Sequence, residues 1–400
     1  MTYEQIDGLV SFVSNSPGQP TGYGQQGAML VERMVRHGIK VAALSNYGLE
    51  GVAGELEFAG KKIAHYPRGF KQYSDDVIQP WHEDWVRQNP GVPDCCFTLY
   101  DVWVYNDVPP RNDFPTKFIS WVPLDHQSLP PAVAKWLLRP NVTPITMSPH
   151  GQRQLEAAGI ASTYIPHAID TKVFKPRETM SDGVKAREYL GVKPDEFLVG
   201  VVSANKANGL IHRKAYSELI LAWSIFLKSY PKSKLYIHTE PSGIMGGFDL
   251  PVLLQACGVS SESIIFPERD RLRKGYSQED MAALYSAFDV LANPSYGEGF
   301  GIPVIEAQAC GTRVIASGWA ASADLVAEDG WLLQGVPFWD EPQKAWWSIP
   351  LVDSIHNALV EGYKADRGPS KVARDFASQF DAERVWKWGW LPFLREYFAS

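Results

Sequence analysis

Short apolar runs alternate with helix-periodic segments along almost the whole chain, and the alternation occurs twice. In the first half "LVSFVSN" (9–15), "KVAALSN" (40–46), "CCFTLYD" (95–101), "KFISWVPL" (117–124) and "VTPITMS" (142–148) read as strands, and "STYIPHAID" (162–170) as a strand with a loop. "QQGAMLVERMVRHG" (25–38) and "GQRQLEAAGI" (151–160) read as helices. Near-continuous apolar strands are buried on both faces, as in a parallel sheet covered by helices on each side. A charged, aperiodic stretch at 172–180 reads as a linker. The series then restarts with strands at "FLVGVVSAN", "KLYIHTE", "SESIIFPE", "DVLANPS" and "TRVIAS", and helices at "RKAYSELILAWSIFLKSY", "QEDMAALYSAF" and "PVIEAQAC". Four hundred residues exceed what one core usually serves. The expectation is an α/β chain of two doubly wound Rossmann-like domains, 1–175 and 176–380, facing a central cleft, with a helical tail over 381–400.

In open parallel sheets ligands sit beyond the carboxyl ends of the strands. "SYGEGFGIPVIEAQACG" (295–311) lies there, between a strand and a helix. Pro303 suits the first helical position, because its missing N–H would have no partner there anyway. Gly311 suits the position just past the helix end. Gly297 to Gly301 then form a loop in which main-chain amides turn outward at a helix start, a cradle for an anion such as phosphate. Acids beside a phosphate are unfavourable unless they contact hydroxyls. A sugar nucleotide offers both groups, so Glu306, read in the first helical turn, faces ribose and Glu298 faces the sugar. Lys206, Arg213 and Lys214 follow a strand of the same domain and face the same diphosphate, neutralising charge on a leaving group. Taken alone, the segments also fit a glycine-rich turn with one capping and one solvated glutamate, and a solvated helix start.

Composition removes several classes. A net charge of −7 gives no basic footprint for nucleic acid. Cys95, Cys96, Cys257 and Cys310 form no CxxC and no Cys/His cluster, which argues against a disulfide framework or zinc site. The N-terminus has acids where a signal peptide has a basic region, and no run reaches the roughly 20 apolar residues of a span. These features suit a cytoplasmic protein without a transmembrane segment, with peripheral membrane contact left open. Fourteen tryptophans invite a glycan-stacking reading, but core packing is the simpler account.

"YGEGFGIPVIEAQACGTRVIAS" resembles the E-x7-E signature of retaining glycosyltransferase family 4, which has the GT-B fold. The resemblance extends over nearly the whole chain. "TGYGQQGAMLVERMVRHGIKV" is similar to the family's N-terminal glycine-rich loop and helix. "MSPHGQRQLEAAGIASTYIPHAIDTKVFKP" is similar to its interdomain passage, and "DMAALYSAFDVLANPSYGEGFG" to the approach to the signature. The resemblance implies sugar transfer from a UDP- or GDP-sugar to an acceptor hydroxyl with retained configuration, and no cofactor or metal. The acceptor is a carbohydrate, a protein or a lipid-linked group. It also implies a last helix that crosses back onto the first domain.

The same resemblance implies roles by position. Glu306 binds the donor ribose and Glu298 the donor sugar. Gly299, Phe300, Gly301 and Ile302 line the sugar and diphosphate. Lys214 is the phosphate-binding lysine, with Arg213 beside it. Gly22 and Gly24 lie against the donor phosphate, and His126, with Asp125, occupies the place of the active-site histidine. The chain departs from the pattern where "SAN" stands for the usual "GR", and where Ala168 replaces a glycine.

Two other classes remain. "GYGQQG", with Gly22, Gly24 and Gly27, is literally G-x-G-x-x-G and would suit an NAD(P)-dependent oxidoreductase. Six residues with two prolines separate it from the strand, and no acid follows the second strand, against that fingerprint. A non-catalytic sugar-nucleotide binder would keep the same fold. The D-x-D triplet of metal-dependent glycosyltransferases does not occur. His167 and His238 lack neighbours at ligand spacing. Acceptor choice is expected in the segment 66–91, where Trp81 and Trp85 line a groove or simply pack.

Overall fold

A computed structural model describes residues 3–48, 53–105, 116–207, 209 and 211–399. Its internal contacts separate two units: Met1–Ala168 with Glu341–Ala345 and Ala382–Ser400, and Ile169–Asp340 with Trp346–Asp381.

The first unit runs β1 (Leu9–Asn15), α1 (Gly22–Arg36), β2 (Lys40–Tyr47), β3 (Gly54–Phe58), β4 (Lys61–Tyr66), α2 (Ile78–Gln88), β5 (Asp94–Leu99), β6 (Phe118–Val122), α3 (Pro131–Leu137), β7 (Val142–Thr146), α4 (Pro149–Ala157) and β8 (Thr163–Tyr164). Among the described residues these strands form one sheet in the order β3-β4-β2-β1-β5-β6-β7-β8. β1 is buried over six of its seven residues, and pairs in parallel with β2 and β5, placing Phe12 opposite Ala43 and Phe97. The β3–β4 pair is antiparallel. Its exposed, charged face, "GELEF" and "KKIAHY", carries no long apolar run, so the sequence reading passed over it.

α1 starts on a side-chain cap: Thr21 Oγ1 accepts from the Gly24 N–H at 3.0 Å and from Asn15 Nδ2 at 2.8 Å. Two glycines of "GYGQQG" are required by packing. A Cβ on Gly24 would stand 2.5 Å from the Gln19 carbonyl, and one on Gly27 2.9 Å from the Phe12 ring. Trp81 and Trp85 pack on the core of this unit, Trp81 Nε1 donating to the Pro67 carbonyl at 3.0 Å.

The second unit runs α5 (Ala186–Tyr189), β9 (Phe197–Val202), α6 (Tyr216–Ser229), β10 (Ser233–His238), α7 (Leu250–Ala256), β11 (Ile264–Ile265), α8 (Arg269–Lys274), α9 (Gln278–Ala287), β12 (Val290–Asn293), α10 (Ile302–Ala309), β13 (Arg313–Ser317), β14 (Trp331–Leu333), β15 (Gly335–Asp340), β16 (Ala345–Pro350), α11 (Val352–Lys364) and α12 (Lys371–Ala377). Its parallel sheet has the order β11-β10-β9-β12-β13-β14, and β15 and β16 form a separate two-stranded sheet. Trp223 and Phe226 of α6 are fully buried against this sheet and α11. Gly200, inside β9, marks a close approach: a Cβ there would meet the Phe288 ring at 2.2 Å.

The stretch at 172–180 packs on α9. Phe174 is buried against Tyr285, and the Arg177 and Ser181 N–H groups donate to Ser286 Oγ at 3.2 Å and Asp280 Oδ1 at 2.8 Å. Lost periodicity there reflects caps and turns that bond a helix surface. The tail, α13 (Ala382–Val385), a π-turn (Trp386–Trp390) and α14 (Leu391–Ala399), returns to the first unit. Trp390 sits 4.8 Å from Trp121 between ring centroids, Trp386 Nε1 donates to His37 Nε2, and Arg33 pairs with Glu383 at 2.7 Å. No helix among the described residues is long and apolar enough to cross a membrane.

Candidate active site

β9 and β12 are neighbours at which strand order reverses, since β10 and β11 lie to one side and β13 and β14 to the other. Loops leaving the carboxyl ends of such a pair diverge and leave a crevice. The loop after β9 brings Arg213 and Lys214; the loop after β12 brings Glu298 and leads into α10.

These three side chains meet. Lys214 Nζ donates to Glu298 Oε1, and Arg213 donates from one guanidinium nitrogen to the Gly297 carbonyl at 2.8 Å and Glu298 Oε2 at 3.3 Å. Burial alone would raise the Glu298 carboxyl, but Lys214 and Arg213 outweigh it and bring it down to about 2. Glu298 is therefore ionised, and the trio carries one net positive charge. The separation of 84 and 85 residues between the partners hid this contact from the sequence, which assigned the cations to phosphate and the acid to sugar.

α10 opens on Gly301, whose φ of +111° lies where an L side chain is strained. Pro303 is the second helical residue rather than the first, and Glu306 lies in the second turn. The N–H groups of Gly301 and Ile302 have no acceptor among the described residues, and they stand at the end of the helix that carries partial positive charge. Phe300 is buried, edge-on to Phe380. Gly311 takes φ +89° just past the helix, as its position in the sequence suggests.

Glu306 has a partner of its own on α9. Its Oε2 accepts from the Tyr285 hydroxyl at 2.8 Å. Burial pushes its carboxyl up to about 7, with the Tyr285 bond acting against the rise. Tyr285 was not singled out from sequence; the signal was a tyrosine in the helix that precedes β12, one strand upstream of the acids.

Asn205 braces the crevice from the β10 side. Its Nδ2 donates to the Glu240 and Phe248 carbonyls at 3.1 and 2.7 Å, and its Oδ1 accepts from the Phe248 N–H at 2.9 Å. Asn205→Ala leaves those main-chain groups unpaired and is expected to cost about 2–3 kcal/mol. A urea titration reads this as a lower unfolding midpoint; an unchanged midpoint contradicts the brace. Lys206, next in sequence, is exposed.

The first unit carries the remaining sequence candidates. His126 follows β6 and is buried, its Nδ1 2.7 Å from Asp125 Oδ1, while His150 Nε2 donates to its carbonyl at 2.8 Å. Gly22 and Gly24 begin α1, and the Gly24 N–H is already given to Thr21. His238 hydrogen-bonds the Tyr236 hydroxyl at 2.6 Å, and the His167 ring lies 4.4 Å from that of Trp121. Burial pushes both imidazoles down, to about 4 and about 3. Among the described residues no three His, Cys, Asp or Glu side chains gather as a metal site.

Solved structures share this chain's architecture over nearly its full length. A sucrose-phosphate synthase from Thermosynechococcus elongatus superimposes with a TM-score of 0.74 at 19% identity, covering 99% of this chain and 100% of that one. An Anabaena protein, HepE, in complex with UDP and glucose, gives a TM-score of 0.65 at 18% identity, covering 96% and 98%. The fold is GT-B. Residues 244–337, which include Glu298 and Glu306, match the model of a GT-B family, Glycosyl transferases group 1. A D-inositol 3-phosphate glycosyltransferase from Mycobacterium ulcerans (strain Agy99) is 30% identical over 206 residues, 51% of this chain and 35% of that protein. The aligned region thus spans about a third of that relative's length.

Proposed function

We propose that this chain is a retaining glycosyltransferase, moving a hexose-type sugar from a UDP- or GDP-sugar to an acceptor hydroxyl without a metal ion. One observation carries the reading: two cations around one ionised glutamate, beside the open N-terminus of α10, at the strand-order reversal of a GT-B unit. The cluster's single net positive charge, with the helix start, complements a pyrophosphate. As the diphosphate leaves, Lys214, Arg213 and the Gly301 and Ile302 amides stabilise the charge that collects on it. Glu298, held ionised, accepts from hydroxyls of the sugar, and Glu306 from those of the ribose. In the first unit His126, its ring fixed by Asp125, is the candidate active-site histidine. The homologous segment in D-inositol 3-phosphate glycosyltransferases and the shared fold of the UDP–glucose complex support the same reading.

Calorimetric titration with UDP, GDP and NADH tests it. Binding of UDP or GDP, unaffected by EDTA, is the expected result. Binding heat with NADH and none with any nucleoside diphosphate would favour an oxidoreductase instead. Release of nucleoside diphosphate from UDP-glucose or GDP-mannose then separates an enzyme from a non-catalytic binder.

A further inference from the structure

Tyr296 lies two residues before Glu298 and touches every element that builds the cationic group. Its N–H donates to the Arg213 carbonyl at 2.8 Å, and its carbonyl accepts from the Ser348 N–H of β16 at 3.0 Å. Its hydroxyl donates to Glu218 Oε1, in the first turn of α6, at 2.7 Å, while Glu218 Oε2 accepts from Ser217 Oγ at 2.9 Å. Burial, then the hydrogen bond to Glu218 and its charge, raise the Tyr296 hydroxyl well above its usual range, so it remains a donor at working pH.

The ring packs with Ala215 and Trp347, both buried, and Ile211, Phe338 and Ile349 close around them. Ala215 directly follows Lys214 and takes φ +54°, ψ +36°. Left-handed backbone costs an L-residue about 1–2 kcal/mol and persists only where its surroundings hold it. Here the surroundings are Tyr296 and the β15–β16 pair, whose inward side chains, Phe338 and Trp347, alternate with the exposed Trp339 and Trp346.

We infer that Tyr296 is a positioning residue of the donor site: anchored at its hydroxyl by Glu218 and at its backbone by β16, it keeps Arg213 and Lys214 in register with Glu298 and the start of α10. This rests on the donor reading above. Tyr296 itself reaches no reacting atom. It acts by fixing the turn that delivers both cations.

Three variants test it. Tyr296→Phe keeps the ring and both backbone bonds but loses the link to Glu218. Glu218→Ala removes the acceptor, and Glu218→Gln keeps one. Each is titrated with UDP and GDP, assayed for kcat and KM with UDP-glucose and GDP-mannose, and followed by amide hydrogen exchange at 211–216 and 294–302. Tyr296→Phe and Glu218→Ala should each weaken binding of the preferred nucleotide and lower kcat about tenfold, and speed exchange in both segments. The double variant should be no worse than either, and Glu218→Gln should stay near wild type. Additive losses, or variants that melt earlier yet keep wild-type kcat, affinity and exchange, overturn the proposal. If the wild type binds neither UDP nor GDP, the donor reading falls. Exchange then decides the brace by itself: unchanged rates sink it, and faster rates in both segments uphold it.

Discussion

Lys214→Ala is expected to lower donor turnover about a hundredfold, roughly 2.7 kcal/mol in the barrier, the loss typical of one preorganised charge at a departing anion. A second effect must be separated from it. Glu298 is almost wholly enclosed, its side chain 11% exposed, and Lys214 supplies one of its two cations. Removing one partner of such a pair costs about 3 kcal/mol in stability, because a buried charge is left poorly compensated. Lys214→Ala should therefore also melt early, and low activity alone would not reveal a chemical role. Lys214→Ala/Glu298→Gln separates the two. Neutralising the acid restores the unfolding midpoint, while turnover, read as nucleoside diphosphate released from the donor, stays well below that of Glu298→Gln alone. Turnover in the double variant equal to that of Glu298→Gln alone would reduce Lys214 to a counter-ion of Glu298.

The parallel sheets and their covering helices were legible because burial on both faces leaves long apolar strands, such as 9–15 and 197–202, which few other environments allow. The loop before α10 was legible for a related reason: Gly301 and Gly311 stand where the backbone needs positive φ, and Pro303 where an N–H is not needed. Hairpins were not. β3–β4 is charged on its open face, and β15–β16 reads as a scatter of tryptophans until Phe338 and Trp347 turn inward against Tyr296. Pairings across long separations were also invisible. The sequence proposed Lys214, Arg213 and Glu298 as site residues, but their mutual contact depends on two loops leaving adjacent strands that are distant in the chain. Glu218 and Tyr285 were missed because each sits within an ordinary helical pattern and acts only through an acid or hydroxyl brought to it by the fold.

Glu306→Ala is expected to weaken binding of the preferred nucleoside diphosphate about a hundredfold, the loss of two hydrogen bonds to a charged acceptor at roughly 1.5 kcal/mol each. The acid's titration gives a sharper test. In the free protein its carboxyl is raised from 4.5 to about 7, first by burial. Between those values the folded state holds a proton that the unfolded state has released. Its contribution to stability is therefore full below about pH 4.5 and declines as pH rises towards 7. Ribose hydroxyls are donors and prefer the ionised acid, so affinity moves the other way and strengthens from pH 6 to pH 8. A diphosphate titrates in that range too, so the difference between wild type and Glu306→Gln at each pH isolates the residue. Wild type should gain on Glu306→Gln by several-fold across the interval, and its melting advantage over Glu306→Gln should shrink over pH 4.5–7. A constant affinity ratio would mean that the carboxyl near Tyr285 is not the ribose acceptor, whatever the cationic group beside α10 holds.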